Sequence, residues 1–121
     1  MAGVIERFLE AMVTHDWREV GACVAPDVVR VGPYGDTYRG RQSYVAFLAG
    51  TLPSLPGYRM QLDRVTYAAG GTLGFAELSE TVTVDGAPLT TPESLVFEIG
   101  PSGLIESVSV YVKHTGGPRC P

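Results

Sequence analysis

The fold is decided by residues 78–97, which read LSETVTVDGAPLTTPESLVF. Apolar and polar side chains alternate on both sides of Asp85-Gly86, and an Asp-Gly pair between alternating runs is the strongest short-range indication of a β-hairpin. A two-residue turn at this point pairs Val84 with Ala87. The sequence therefore predicts two antiparallel strands whose register is fixed by their turn.

The register of this hairpin decides which side chains share a face. Counting inward from the turn, Glu80 lies opposite Thr91, and Leu78 lies opposite Glu93. One face is largely apolar but carries two carboxylates; it consists of Leu78, Glu80, Val82, Leu89, Thr91, Glu93, Leu95 and Phe97. The opposite face is rich in hydroxyl groups; it includes Ser79, Thr81, Thr83, Thr90, Ser94 and Glu98. A slip of one residue would bury the hydroxyl groups instead, so we expect the apolar face to meet the helices.

Helical patterns come before the hairpin. Apolar residues recur in one stripe over residues 4–12, which predicts a first helix. Asp16 is a typical N-cap for a second helix, which Pro26-Asp27 would end. Residues 28–31 are mostly β-branched and predict a short strand, and residues 42–52 predict a third helix.

The second half of the chain shows period-two alternation at residues 58–67, 74–84, 90–99 and 104–113. Helices in the first half followed by hairpins in the second half predict an α+β fold, with three helices on one face of a curved antiparallel or mixed sheet. No pattern of parallel β-α-β units is present, so we expect mainly antiparallel pairing. We expect one domain over residues 1–114 and a flexible, Gly- and Pro-rich tail over residues 115–121.

Composition narrows the possible functions. The 121 residues carry a formal net charge of −4, whereas nucleic-acid binding depends on clustered Lys and Arg. No apolar run approaches the roughly 18 to 20 residues that cross a membrane, so we expect a cytoplasmic protein without a membrane or nucleic-acid partner. Neither the cysteines, Cys23 and Cys120, nor the histidines, His15 and His114, have metal-ligand spacing, and we expect no metal and no cofactor.

The two acidic residues of the apolar face are the candidate catalytic residues. Unpaired carboxylates in such a place are costly unless a shared proton or a counter-charge compensates them. Glu80 and Glu93 are diagonal cross-strand neighbours, close enough to titrate together and to divide acid and base roles. The alternative is that both lie at the open end of the sheet, in water or paired with Arg30, Arg59 or Arg64.

Arg30 is the candidate third member of this site. In the strand at residues 28–31, either Val29 and Val31 or Val28 and Arg30 face the helices, and the hydrophobic pattern favours the first arrangement. If the strand is buried on both faces, Arg30 reaches the carboxylates and forms an acid-arginine-acid cluster.

The candidate substrate-binding residues are aromatic side chains and apolar residues of the inner face. They are Phe8, Met12, Trp17, Tyr34, Tyr44, Phe47, Tyr58, Leu78, Val82, Leu95, Phe97, Val108 and Val110. Most of the aromatic rings are expected to pack in the core. A tyrosine hydroxyl that reaches the cavity would add a hydrogen-bond donor, and Tyr34 and Tyr44 are the best candidates for that role.

The order of these elements, together with four short motifs, resembles the SnoaL-like group of the nuclear transport factor 2-like superfamily. The motifs are Phe8-Leu9-Glu10-Ala11-Met12, Asp16-Trp17, Ala25-Pro26-Asp27-Val28-Val29 and Tyr38-Arg39-Gly40-Arg41. The resemblance covers residues 3–113 and is specific for the fold rather than for a reaction. It implies a cone-shaped α+β barrel with a deep pocket, and a homodimer formed through the outer face of the sheet.

The resemblance also implies a range of functions. The superfamily includes ketosteroid isomerases, polyketide cyclases, limonene epoxide hydrolases, dehydratases and non-catalytic binders. We therefore expect a cofactor-free acid-base enzyme acting on an apolar polyketide-, steroid- or terpenoid-like molecule. The alternatives are a non-catalytic ligand-binding or dimerisation module and a protein-interaction domain, which would need an exposed apolar patch.

Known catalytic residues of the family transfer poorly to this chain. The isomerases have an oxyanion-hole tyrosine, a general-base aspartate and a second acid, which resemble positions occupied here by Phe8, Gly32 and Leu95. Limonene epoxide hydrolases have an Asp-Arg-Asp set, which resembles positions occupied here by Glu80, Leu78 and Val110. Of these acids only Glu80 is kept, and Glu93 is added near the second acid of the isomerases.

Overall fold

The structure is a computed structural model that describes residues 3–113. Within this range the α-helices are α1 (Val4–Val13), α2 (Trp17–Cys23) and α3 (Arg41–Thr51). The strands are β1 (Val24–Val31), β2 (Thr37–Arg39), β3 (Arg59–Ala68), β4 (Leu73–Val84), β5 (Ala87–Ile99) and β6 (Ile105–Val112). Short 3-10 helices, Leu52–Ser54 and Ala69–Gly71, follow α3 and β3. No helix in residues 3–113 is long and apolar enough to span a membrane.

The strands form one open, mixed sheet in the order β2-β1-β6-β5-β4-β3. Neighbouring strands are antiparallel except β1 and β6, which run parallel. The α+β class with helices on a mixed sheet is confirmed, whereas the expectation of mainly local, antiparallel hairpins misses the β1-β6 pair. Those two strands lie far apart in the chain, so no turn indicates their pairing. Strand β2 is also missed, because three residues are too few to show an alternation.

The helices hold the inner face of the sheet through an aromatic cluster. The Phe8 ring of α1 lies edge-on to Phe97 of β5 and tilted against Tyr44 of α3, with centroids 6.1 Å apart in both pairs. Phe8 and Phe97 are fully buried, and burial of each such ring stabilises the fold by about 2 to 3 kcal/mol. This cluster sets the distance between α3 and the sheet.

Helix α2 begins as predicted but ends early. The Asp16 side chain caps the helix by accepting a hydrogen bond from the Glu19 amide at 3.2 Å. The helix stops at Cys23, because Val24 already pairs with β6 in the sheet. Pro26 therefore lies inside β1, at an irregularity of the β1-β6 register, where the missing amide of proline is tolerated.

The hairpin turn between β4 and β5 has the predicted geometry. Val84 pairs with Ala87. Asp85 and Gly86 adopt φ values of 52° and 77°, and both central residues of a type I′ turn require positive φ. The turn therefore sets the whole ladder between the two strands.

The predicted inner-face pairs are confirmed. They are Glu80 with Thr91 and Leu78 with Glu93. On the other side of β5, Leu95 pairs with Val110 and Phe97 with Val108. Towards the turn the inner face leaves the helices, because the hairpin extends beyond them: Val82 is only partly buried and Leu89 is exposed. The covered part of the inner face thus ends near Glu80.

Some of the sequence-based expectations concern residues near the C-terminus that the structure does not describe. The expected tail, residues 115–121, lies outside the described residues, and so do Cys120 and His114. Cys23 is buried in the core.

Candidate functional site

A cavity of about 190 Å³ lies between α3 and the inner face of the sheet. Its wall is mostly apolar, and six of the predicted substrate-binding residues line it: Met12, Tyr44, Phe47, Leu78, Leu95 and Val110. Three ionisable side chains also line it, and they are the predicted catalytic residues Glu80, Glu93 and Arg30. The inner face therefore forms an apolar chamber with ionisable groups in its wall.

The two glutamates are neighbours within this cavity. Glu80 of β4 and Glu93 of β5 are diagonal neighbours on the inner face, and both side chains line the cavity. Burial, then the neighbouring Glu80 carboxyl group and its negative charge, raise the pKa of Glu93 to about 9, while the charge of Arg30 acts in the opposite direction. Glu93 therefore carries a proton at neutral pH.

Tyr58 supplies a second donor to the same carboxylate. It lies just before β3, and its hydroxyl donates a hydrogen bond to Oε2 of Glu80. Burial and the negative charge of Glu80 raise the pKa of Tyr58 far above its ordinary value, so the phenol keeps its proton. Glu80 thus accepts a hydrogen bond from Tyr58 and has the protonated Glu93 as its cross-strand neighbour. This small network fixes the position of its carboxylate.

Arg30 faces the helices, which corrects the arrangement favoured by the hydrophobic pattern. Val28 is fully buried and Val31 is 38% exposed, so the Val28 and Arg30 side of β1 is the inner one. The pattern fails because Val29 and Val31 lie on the outer face, where valine is tolerated. The inward-facing arginine is largely buried, because its side chain is only 12% exposed.

The direct partners of Arg30 are not the two glutamates. Its Nη1 donates to Oδ2 of Asp36 at 2.7 Å, and its guanidinium lies 4.9 Å from the centroid of the Phe47 ring and 5.9 Å from that of Tyr38. Within residues 3–113 its ion pair is with Asp36, so the predicted acid-arginine-acid cluster is not formed by direct contact. Its charge still reaches Glu93, because it lowers the pKa of that carboxyl.

Several predicted substrate-binding residues lie outside the cavity wall. Phe8, Phe97 and Val108 are fully buried in the core behind it, where helix and sheet pack directly. Val82 lies beyond the wall, towards the exposed hairpin turn. They support the shape of the cavity rather than its surface.

Three more of the predicted aromatic residues do not line the cavity. Tyr34 is 90% exposed in the turn between β1 and β2, so the expectation that its hydroxyl reaches the cavity is wrong; a turn residue has no packing partner there. Trp17 begins α2 and stacks on His15 with centroids 5.3 Å apart, away from the cavity. Tyr58 reaches the site through Glu80 instead of through the apolar wall.

Sequence reasoning also missed residues of the site. The apolar ones are Pro33, Leu48, Leu52, Leu55, Met60 and Val112. The helical spacing of Tyr44, Phe47 and Leu48 is the signal that could have indicated Leu48. Asp36, which pairs with Arg30, lies in a turn, and nothing in its sequence position marks it. Among residues 3–113 no group of three or more His, Cys, Asp or Glu side chains is placed to hold a metal ion.

The sequence profile of the SnoaL-like domain matches residues 5–108. Comparison with curated protein sequences gives no significant match.

Solved structures share the fold. A candidate polyketide cyclase from Xanthomonas campestris pv. campestris is 27% identical, with a TM-score of 0.73 over 89% of this chain and 86% of that protein. An LEH-like epoxide hydrolase from M. tuberculosis is 21% identical, with a TM-score of 0.75 over 91% and 80%. A candidate SnoaL-like polyketide cyclase from Shewanella denitrificans OS-217 is 13% identical, with a TM-score of 0.78 over 91% and 88%.

Proposed function

The chain belongs to the SnoaL-like domain family, and on that premise we propose that its cavity performs cofactor-free general acid-base catalysis on a small, mostly apolar molecule. The reaction is a cyclisation, an isomerisation, a dehydration or an epoxide opening. The observation that carries the proposal is the juxtaposition of Glu80 and Glu93 in a largely apolar cavity. Two neighbouring carboxyl groups in different environments can serve as the general acid and the general base of one reaction.

The two carboxyl groups take different catalytic roles because their environments differ. Glu93 keeps its proton at neutral pH because its pKa is about 9, so it acts as the general acid. Glu80 is the hydrogen-bond acceptor of the pair, held in place by Tyr58, and acts as the general base. The apolar side chains around the pair lower the local dielectric constant, which strengthens each electrostatic interaction with the reacting molecule. Glu80 takes a proton from the substrate or from water while Glu93 gives its own proton to the substrate, and proton transfer from Glu80 to Glu93 then restores both groups.

The related structures support a reaction class but not a substrate. The M. tuberculosis protein is an epoxide hydrolase and two others are candidate polyketide cyclases. This chain has Leu78 and Val110 where the resemblance to limonene epoxide hydrolases implies an arginine and an aspartate, and both side chains line the cavity. Glu93 is therefore the acid that we assign in place of the missing ones.

The test is turnover by matched variants. Ketone isomerisation, epoxide opening and cyclisation of small apolar substrates are assayed with the wild type, Glu80→Gln and Glu93→Gln. We expect each substitution to lower kcat by about 100-fold or more. Glu77→Gln is the control, because Glu77 lies on the same strand but forms an exposed ion pair with Arg64, 2.5 Å away. Full turnover by Glu80→Gln would remove Glu80 from the proposed role.

A second candidate function is non-catalytic ligand binding. It is favoured by the apolar residues Leu78, Leu95 and Val110 in the cavity wall, at positions where the resemblance implies catalytic residues of other family members. This function predicts tight binding of apolar molecules without turnover. It gains support if both glutamates titrate near the ordinary value of about 4.3.

We also propose that the chain forms a homodimer through the outer face of its sheet. A row of three apolar residues and one serine crosses that face on four adjacent strands, from Phe75 through Val96 and Ser109 to Val31. Phe75 and Val31 are both more than one-third exposed, and an exposed apolar row favours a partner surface. Sedimentation at micromolar concentration is expected to give a dimer, and a monomer would contradict this proposal.

A further inference from the structure

Tyr44 is a buried donor without a partner. It lies on α3, lines the cavity and is only 2% exposed. Its ring packs against Phe8 with centroids 6.1 Å apart. Within residues 3–113, however, no side-chain or backbone group forms a hydrogen bond with its hydroxyl, whereas the hydroxyls of Tyr58 and Tyr67 are bonded.

The Tyr44 hydroxyl opens onto the cavity. No fully enclosed side-chain oxygen or nitrogen in the described part of the chain lacks a partner, so this unbonded oxygen must touch open space, and Tyr44 borders the cavity. Burial and the charge of Glu80 raise the pKa of Tyr44, and Arg30 only partly opposes them. The phenol therefore remains protonated and can donate a hydrogen bond.

The other polar side chains of the wall are already hydrogen-bonded, ion-paired or accessible to water. Glu80 accepts from Tyr58 and lies beside Glu93, and Arg30 is paired with Asp36. Thr51 is the other hydroxyl of the wall and is partly exposed, so water can satisfy it. Tyr44 is left as the buried donor available to a molecule in the cavity.

The size of the cavity limits that molecule. A volume of about 190 Å³ lies below the roughly 300 to 1,000 Å³ of common ligand pockets. It is close to the roughly 150 Å³ of a cavity that holds one benzene ring. A single ring or a chain of similar bulk fits within this volume, whereas a four-ring molecule would have to extend beyond it.

We propose that the cavity takes a neutral molecule with the bulk of a single ring, and that Tyr44 donates a hydrogen bond to its carbonyl or ether oxygen. A molecule that fills the cavity displaces water from this hydroxyl, and one without an acceptor would leave the donor unsatisfied, so the cavity selects a molecule that supplies an acceptor. This inference rests on the proposed function for the fate of the bound molecule. Its recognition step can nevertheless be measured without turnover.

The experiment compares two probes of equal shape. Cyclohexanone labelled with ¹³C at the carbonyl and methylenecyclohexane, which has CH₂ in place of the oxygen, are titrated by NMR into the wild type, Tyr44→Phe and Tyr111→Phe. The Tyr111 ring is exposed on the outer face of the sheet and serves as the control. Thermal melting confirms that each variant is folded.

We expect wild type and Tyr111→Phe to bind cyclohexanone about five- to tenfold more tightly than methylenecyclohexane, with a downfield shift of the carbonyl carbon. Tyr44→Phe should lose both the preference and the shift. Equal binding of the two probes by the wild type, an unchanged preference in Tyr44→Phe, or no ketone binding at millimolar concentration would overturn the proposal. So would a four-ring ketone that binds as tightly as cyclohexanone.

The failure of this inference is distinguishable from the failure of the proposed function. Glu80→Gln and Glu93→Gln report on turnover, whereas the carbonyl shift reports only on Tyr44. A Tyr44-dependent shift together with full turnover by both glutamine variants would refute the catalytic roles and leave the recognition of the oxygen intact.

Discussion

Glu93 lies diagonally across the β4-β5 ladder from Glu80, and both side chains line the same cavity. Neither partner alone would make this arrangement useful. Glu93 supplies a held proton, and Glu80 supplies an acceptor that Tyr58 also binds. Because the Asp85-Gly86 turn fixes the ladder, it also fixes the distance between the two carboxyls.

The titration of Glu93 is the first prediction. Carboxyl ¹³C NMR of the wild type should show one glutamate with a pKa of about 9. In Glu80→Gln this pKa should fall, because the neighbouring negative charge is gone, but it should stay above the ordinary value, since burial is the largest cause of its shift. A Glu93 that titrates near 4.5 in the wild type contradicts the site as described.

The pH dependence of stability is the second prediction. The folded protein holds the Glu93 proton up to about pH 9, whereas the unfolded chain releases it near 4.5. The folded state therefore binds more protons between these values, and the contribution of Glu93 to the free energy of unfolding must fall as pH rises through this window. Urea unfolding should show it fully present below pH 4.5 and lost by pH 9.

The size of this pH effect has a matched control. We expect a loss on the order of 2 kcal/mol, less than the pKa shift alone implies, because Glu93 is partly exposed and solvent screens it. Glu93→Gln stays neutral at every pH, so its unfolding free energy should lack this slope. Parallel curves for the wild type and Glu93→Gln would count against a raised pKa.

Two tyrosine variants should differ in stability, which is the third prediction. Tyr58→Phe removes a hydrogen bond to a carboxylate and should lower the free energy of unfolding by about 1.5 to 3 kcal/mol. Tyr44→Phe removes a hydroxyl without a protein partner and should change it by less than about 0.5 kcal/mol. Urea denaturation of both variants checks the difference, and an equal cost would mean that the Tyr44 hydroxyl has a structural partner.

The fourth prediction concerns Arg30, whose positive charge lowers the pKa of Glu93. Arg30→Met should therefore raise this pKa further. Asp36→Asn removes the carboxylate that pairs with Arg30 at 2.7 Å, so the guanidinium charge acts more strongly and the pKa of Glu93 should fall. The same carboxyl NMR titration measures both variants, and shifts of equal sign would show that Arg30 does not act through its charge.

The sequence was sufficient for features that depend on local chemistry. The Asp85-Gly86 turn predicts its own register, and alternation then places Glu80 and Glu93 on the inner face, as the structure confirms. The Asp16 cap likewise predicts the start of α2. Each of these features is determined by residues only a few positions apart.

Features that depend on distant contacts were not predictable in this way. The hydrophobic pattern of β1 favoured Val29 and Val31 as its inward residues. Pairing with the distant strand β6 instead places Arg30 beside Val108 on the inner face. Its partner Asp36 lies in a turn without a recognisable motif. The unbonded state of the Tyr44 hydroxyl depends on the side chains that surround it in three dimensions, and the sequence indicates only that the hydroxyl exists.

The position of β6 also has a consequence for synthesis. The final strand, Ile105–Val112, lies in the middle of the sheet between β1 and β5. During translation the two parts of the sheet, β2-β1 and β5-β4-β3, cannot be connected until β6 has left the ribosome. Such long-range contacts slow folding. A chain that stops before residue 105 would lack the strand that joins β1 and β2 to β3, β4 and β5, and would leave the facing edges of β1 and β5 unpaired.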